Sequence, residues 1–283
     1  MTSLIYVVGR GHSGTTLLDT LLDRHSQVSC TGELKWLSRR KRAQVDRLFQ
    51  PCACGASPMA DCEFWRAVDR NLRSLHGFSL NDLDVESDDM DTFAKHNLAL
   101  FSTVGQLTGC SHVVDSSKGV RRLEKLLSLA DRLKIYPVYM IRDPRAVVYS
   151  HIRRGRDLKY WAQKYASSSR AIHDLLDSRV FQLLEYEALA SDPAASLSGL
   201  MGGFGLEMEP KQLAPSVHAH HQIAGNVIPL GQDANIRLDD RWRRGLSRLQ
   251  QWQITWHTRV ERKQALALRA CQAPPGNQVG GDR

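Results

Sequence analysis

Leu4-Ile5-Tyr6-Val7-Val8-Gly9-Arg10-Gly11-His12-Ser13-Gly14-Thr15-Thr16-Leu17-Leu18 is the stretch on which the fold turns. Leu4 to Val8 carry no charge and read as a buried strand. A Gly/Ser/Thr turn follows, and Leu17, Leu18, Leu21 and Leu22 then recur at helical spacing. A strand, a glycine loop and a helix in that order make an anion cradle. Successive backbone N–H groups of the loop converge on one place, and the helix N-terminus adds roughly half a positive charge there. Gly9 and Gly14 have the spacing of a nucleoside-triphosphate loop, but Thr15 stands where such a loop places its lysine. The cradle therefore suits an anion better than it suits ordinary triphosphate chemistry.

Outward from this stretch the pattern of strand, polar turn and helix repeats. Gln27 to Cys30 reads as a second strand with Gly32-Glu33 at its carboxyl end, where open α/β sheets bind ligands. Ser111 to Asp115 reads as a short strand followed by a Ser116-Ser117-Lys118 turn and a helix, and Lys134 to Arg142 as the clearest core strand. Arg142-Asp143-Pro144 opens a helix with proline in its first turn, where a missing N–H costs nothing. A long helix is expected from about Lys159 to Leu176, a strand from Val180 to Glu185, and helix from Asp239 to about Ala270. Trp36 to Phe49, Cys62 to Leu75 and Thr92 to Leu107 carry helical periodicity, so about residues 36 to 110 are read as a helical insertion. The expected fold class is α/β: three layers, with a mostly parallel central β-sheet flanked by helices, in one domain over residues 1–271 with a frayed tail over 272–283.

Composition narrows the function classes. The charged fraction of 24% is ordinary for a soluble enzyme, and no apolar run approaches the ~20 residues of a membrane span. Met-Thr-Ser leads straight into the strand without a signal-peptide pattern, and the expected location is the cytoplasm. A formal charge of +8 fits nucleic acid or a multiply phosphorylated nucleotide, but the basic clusters at Arg39 to Arg42, Arg153 to Arg156 and Arg241 to Arg244 come with no nucleic-acid motif. No nucleic-acid partner is expected. The six cysteines are expected to be reduced. Cys52-x-Cys54-x7-Cys62 could give zinc three thiolates, with Cys30 or a histidine as the fourth ligand, but the spacing is not a common zinc pattern. Buried free thiols packing through Phe64 and Trp65 are the favoured reading, and no metal is expected.

Ser13-Gly14-Thr15-Thr16 after a strand resembles the 5′-phosphosulfate loop of the sulfotransferases that use 3′-phosphoadenosine 5′-phosphosulfate (PAPS). Met140-Ile141-Arg142-Asp143-Pro144-Arg145-Ala146-Val147-Val148-Tyr149-Ser150 resembles that family's second phosphate element, in which a strand-end arginine and a serine eight residues later share the 3′-phosphate. The competing reading of this segment is an Arg142–Asp143 ion pair with a surface serine. Tyr186-Glu187-x-Leu189 before Asp192-Pro193 is similar to a further family segment. Gly225-Asn226, Ile236-Arg237 and Arg241 to Gly245 resemble the basic loop that closes over the nucleotide. The resemblance covers about residues 4 to 33, 113 to 155 and 180 to 203.

The resemblance implies sulfuryl transfer from PAPS, as co-substrate, to an acceptor hydroxyl or amine. The implied nucleotide contacts are Arg10, Gly11, His12, Ser13, Gly14, Thr15, Thr16, Arg142, Ser150, Arg237, Arg243 and Arg244. Glu33 matches the glutamate that some members use as base, and burial is expected to raise its pKa toward the useful range. Lys118 matches a lysine near the bridging oxygen, and His12 is a departure where many relatives carry Lys or Arg. His12 is either cation, acid or bystander. The acceptor (small molecule, saccharide, lipid or peptide) and the oligomeric state stay open, with a P-loop nucleotide kinase and a non-enzymatic nucleotide- or RNA-binding protein as alternatives. Trp36, Phe64, Trp65 and Trp161 could wall an acceptor pocket, although aromatic core residues are commoner.

Overall fold

The structure, a computed structural model, describes residues 2–38, 51–214, 220–224 and 236–272. Among these, five strands form one sheet in the order β2-β3-β1-β4-β5: β1 is Ser3–Gly9, β2 Val28–Cys30, β3 His112–Lys118, β4 Ile135–Ile141 and β5 Gln182–Glu185. Every pairing is parallel. β1 lies at the centre, with Ile5 opposite Val114 of β3 on one side and Tyr136 of β4 on the other.

The centre is apolar on both faces, as a strand covered by helices on both sides must be. Leu4, Tyr6 and Val8 point into one core layer with Trp65, Phe93, Phe101 and Leu123. Ile5 and Val7 point into the other with Leu18, Leu21 and Leu22 of the Thr15–Leu22 helix and with Leu197 and Phe204 of the Pro193–Phe204 helix. The two-residue period of the strand thus sorts one uninterrupted apolar run between two layers. A third cluster joins Ala146 and Val148 of the Pro144–Ile152 helix to Trp242, Leu246 and Ile254, which docks the C-terminal Arg248–Gln272 helix.

The expected elements recur with modest shifts: Glu63–His76 and Met90–Thr108 are helices in the middle region, Leu158–Leu176 is the long helix, and Trp242–Gly245 is a short one. Three expectations change. Ser116-Ser117-Lys118 continues β3 rather than turning out of it, because their polar groups find partners inside: Ser116 N donates to the Gly32 carbonyl at 2.9 Å, and its Oγ donates to Asp19 Oδ2 at 2.5 Å. Leu34–Ser38 is a short 3₁₀ turn where a helix was expected from Trp36, and the remainder of that element, with Arg39 to Arg42, lies outside the described residues. Helix continues to Gln272, so the expected tail begins inside an element; residues 273–283, like Gly225-Asn226, lie outside the described residues. No helix among the described residues is long and apolar enough to cross a membrane.

A buried ionic network ties β3 to the middle region. Arg122 Nε donates to Asp115 Oδ2 at 2.7 Å, Nη2 to Asn97 Oδ1 at 2.7 Å, and Nη1 to the Val85 carbonyl and to Glu86 Oε1. Arg122 and Asp115 are both buried, and Asp115 Oδ1 also accepts from Ser117 N at 2.9 Å. Removing one partner of such a pair strands a buried charge. Asp115→Ala should therefore lower stability by about 3–5 kcal/mol in urea unfolding; a loss below ~1 kcal/mol would mean that Arg122 finds water or another partner.

Candidate active site

The carboxyl ends of β1, β2, β3 and β4 open onto a cleft of about 610 Å³. One wall is the loop after β1. His12 and Gly14 there take positive φ values of 69° and 91°, and Ser13 N donates to the Arg10 carbonyl at 3.2 Å. A Cβ on Gly14 would come within 2.4 Å of the Tyr186 ring, so this position needs glycine for space as well as for conformation. No side chain caps the Thr15–Leu22 helix, which leaves its first-turn N–H groups for an anion in the cleft.

A second wall is Arg142 at the end of β4. Its guanidinium lies over the Tyr186 ring at 4.1 Å, and Nη1 donates to the His12 carbonyl at 3.0 Å. Nη2 donates to the Asp239 carbonyl at 2.9 Å and stands 3.2 Å from the Asp239 carboxylate, which Arg241 holds from the other side at 2.7 and 2.9 Å. Hydrogen bonds from Arg241 and then Arg142 hold Asp239 far below the usual carboxylate range, against the opposing effect of burial. Asp143 pairs with Arg145 at 2.6 Å instead of Arg142 and accepts from Arg145 N at 2.8 Å, capping the helix. Arg142 is thereby kept for the cleft, and Ser150 lines the same space two turns along the helix with its Oγ donating to the Ala146 carbonyl at 3.0 Å.

Glu33 stands between two lysines. Lys118 Nζ is 2.6 Å from Oε1 and Lys35 Nζ 2.7 Å from Oε2, while Trp36 Nε1 donates to Oε2 at 3.2 Å. Burial pushes the carboxyl up, but Lys118 and Lys35 together outweigh it and lower the pKa to about 2. The expectation of a raised pKa is thus corrected: the pair of ammonium groups, not burial, decides. Lys118 takes a positive φ of 66° at the end of β3, which brings its side chain toward β2's end. Lys35 is itself oriented by donating to the Ser117 carbonyl at 2.7 Å.

His12 is neutral. Burial lowers its pKa to about 4, helped by Arg154, Lys118, Arg142 and Arg156, and Arg154 Nη1 lies 3.1 Å from Nε2. A guanidinium can only donate, so Nε2 is the acceptor and Nδ1 carries the hydrogen. His151, edge-on to His12 at 4.9 Å, is also lowered to about 4 by burial and stacks on Trp161 at 3.5 Å.

Gly11, His12, Gly14, Thr15, Thr16, Glu33, Lys118, Arg142 and Ser150 therefore line one cleft. Ser13 is buried in the loop, and Arg10 turns away to Ser168 Oγ at 2.9 Å. Arg237, Arg243 and Arg244 do not line the cleft. Trp242 buries itself against the Pro144–Ile152 helix, and this turns Arg243 and Arg244 outward to solvent, Arg243 over the Trp242 ring at 4.9 Å. Their place is taken by Arg153, Arg154 and Arg241, which the sequence showed only as members of basic runs, and by Tyr186 and Asp239. Five basic side chains (Lys118, Arg142, Arg153, Arg154, Arg241) face two carboxylates (Glu33, Asp239), a balance that favours a polyanion. Trp65 is a core residue and Trp161 backs His151, so neither walls an acceptor pocket.

A family model described as the sulfotransferase family matches residues 5–210. The chain belongs to the sulfotransferase family. No curated protein matches it. Among solved structures, this sulfotransferase is similar to the sulfotransferase domain from the curacin biosynthetic pathway, at a TM-score of 0.55 and 16% identity over 90% of this chain and 97% of that one. It is similar also to the sulfotransferase domain of the Synechococcus PCC 7002 olefin synthase, at 0.54 and 17% over 90% and 95%. At these identities the likeness speaks for the fold. The family match sets aside the nucleotide-kinase alternative.

The neutral histidine has a consequence for acid stability. His12 titrates near 6.5 when unfolded and near 4 when folded, so the unfolded chain binds more protons between those values. The stabilisation is complete above about pH 6.5 and is lost as pH falls toward about 4. His12→Asn, whose side chain tolerates the positive φ, should flatten the fall of Tm with acid in that window; an unchanged slope would place the titration elsewhere, with His151 the next to replace.

Proposed function

We propose that this sulfotransferase moves the sulfuryl group of PAPS to a hydroxyl, or an amine, of an acceptor, releasing adenosine 3′,5′-bisphosphate. The observation that supports this reading is that the Gly11 to Thr16 loop and the Arg142–Ser150 pair, each suited to an anion, line one cleft with the Glu33–Lys118 pair beside them. A nucleotide phosphorylated at both the 5′ and 3′ positions fits two such positions. A singly phosphorylated one fills only one of them.

In this reading the acceptor oxygen attacks sulfur while the bond from sulfur to the 5′-phosphate oxygen breaks. The acceptor proton passes to Glu33, and the bonding electrons stay on the departing phosphate oxygen, whose growing charge Lys118 and the loop N–H groups stabilise. Glu33 at a pKa of about 2 is a weak base in the free protein. A phosphosulfate that draws Lys118 toward itself removes one of the two cations holding Glu33 down and so strengthens the base as the ligand binds. His12, neutral and with its Nε2 taken by Arg154, can offer a hydrogen bond through Nδ1 but no charge.

Adenosine 3′,5′-bisphosphate should raise the stability of the protein without magnesium, by about 2.7 kcal/mol at a hundredfold excess over Kd. Thermal denaturation with matched concentrations of ATP and adenosine 5′-monophosphate is the comparison. Equal stabilisation by ATP, or a need for magnesium, would overturn the reading.

Glu33→Gln should leave the affinity for adenosine 3′,5′-bisphosphate nearly unchanged while lowering turnover by the ~10²–10⁴ that a general base contributes. The measurement pairs calorimetric titration with an acceptor screen using labelled PAPS. Sulfation at close to the parent rate by the variant would move the base to another group.

A further inference from the structure

Away from the cleft, Cys52, Cys54, Cys62 and His221 place four ligand atoms within 4.8 Å of one another. Cys54 Sγ and Cys62 Sγ are 3.6 Å apart, and Cys62 Sγ is 3.2 Å from His221 Nδ1. A disulfide needs sulfurs at about 2.0 Å, so the first distance is not that of a bonded pair. A tetrahedron with Zn–S near ~2.3 Å and Zn–N near ~2.0 Å has edges of about 3.8 Å between sulfurs and about 3.5 Å between sulfur and nitrogen. Both of these separations are close to those edges, and all four atoms lie within 4.8 Å of one another. We propose that Cys52, Cys54, Cys62 and His221 form a closed structural zinc site.

The surroundings are built as a metal site is built. Cys52 and Cys54 lie in a tight turn, with Gly55 N donating to the Cys52 carbonyl and Cys52 N to the Ala56 carbonyl, both at 2.9 Å, and Gly55 at a φ of 97°. The turn aims both thiols inward; Cys52 and Cys62 are almost fully buried. His221 is oriented from outside the tetrahedron: its ring stacks on Phe64 at 5.0 Å and 12°, and its carbonyl accepts from Trp65 Nε1 at 2.9 Å. The stack holds the plane of the ring, and the carbonyl bond holds the backbone that carries it. Three thiolates and an imidazole suit zinc in its four-coordinate structural form, which keeps no position open for substrate. His221 lies 159 residues from Cys62, which is why cysteine spacing alone pointed to free thiols.

The site would do a definite job. Ala53 N donates to the Gln222 carbonyl at 3.0 Å, Ile223 N to the Thr31 carbonyl at 2.9 Å, and Glu33 N to the Ile223 carbonyl at 2.9 Å. The segment carrying His221 is thus the backbone rest for Thr31 to Glu33, and a metal on His221 pins that rest to the cysteine turn. This inference stands whether or not Glu33 is the base.

The test is metal analysis of the full chain purified without chelator, which should give about one zinc per chain. Replacement by Co(II) should produce the strong visible absorption of tetrahedral cobalt together with a thiolate charge-transfer band. Cys54→Ser and His221→Ala should each lower the zinc content, Cys110→Ser should leave it whole, and chelation should lower the Tm. If the cysteine variants fail to fold, the cobalt spectrum of the parent decides. Zinc below about a tenth per chain after refolding with zinc, all six cysteines titrating as free thiols or a Cys54–Cys62 disulfide in the purified protein, or a cobalt spectrum without thiolate bands would each overturn the proposal.

Discussion

A fully buried strand with polar backbone on both edges is the constraint from which the architecture follows. Leu4 to Val8 are completely shielded from water, so each N–H and C=O of β1 must be paired within the protein. β3 and β4 supply the two edges in parallel, and parallel strands must return through helices that cover both faces. Because the strands run the same way, their carboxyl ends gather at one side. The loop after β1, Glu33 after β2, Lys118 closing β3 and Arg142 after β4 come from four distant stretches of sequence yet share one cleft. The site is a consequence of the way the central strand is satisfied.

Much of this was legible because it depends on local order. The apolar run before Gly9 and the leucines after Gly14 announce a strand, a turn and a helix, and Asp143-Pro144 marks the helix that carries Ser150. What was not legible depends on partners distant in sequence or on short irregular backbone. Ser116 and Ser117 look like a turn until Asp19 and Asp115 are seen to accept hydrogen bonds from their hydroxyls inside the protein. Lys35 is two residues from Glu33, a spacing that puts side chains on different sides of a regular helix, and in the 3₁₀ turn at Leu34–Ser38 the ammonium reaches the carboxylate. Among the arginines after Asp239, the burial of a single tryptophan determines which face solvent, and a run such as Arg241-Trp242-Arg243-Arg244 does not disclose that choice.

The same contrast separates the two polar clusters. In the cleft the charged groups are held by one another along the wall of an open space, so their balance can change when an anion arrives. At the cysteines and His221 the groups face inward and are supported from behind by Phe64 and Trp65. The first arrangement is responsive and the second is fixed, and Ile223 joins them by accepting from the Glu33 amide.

Asp239 gives the cleft a built-in rival for its own ligand. Its carboxylate already occupies the fork of Arg142 and Arg241, tethered to the same chain, so any phosphate that takes Arg142 competes with an anion held at high effective concentration. The competition also works in reverse. In the proposed reading, the tethered carboxylate is placed to retake Arg142 as a spent nucleotide leaves, so a site rich in positive charge can still let a highly charged product go.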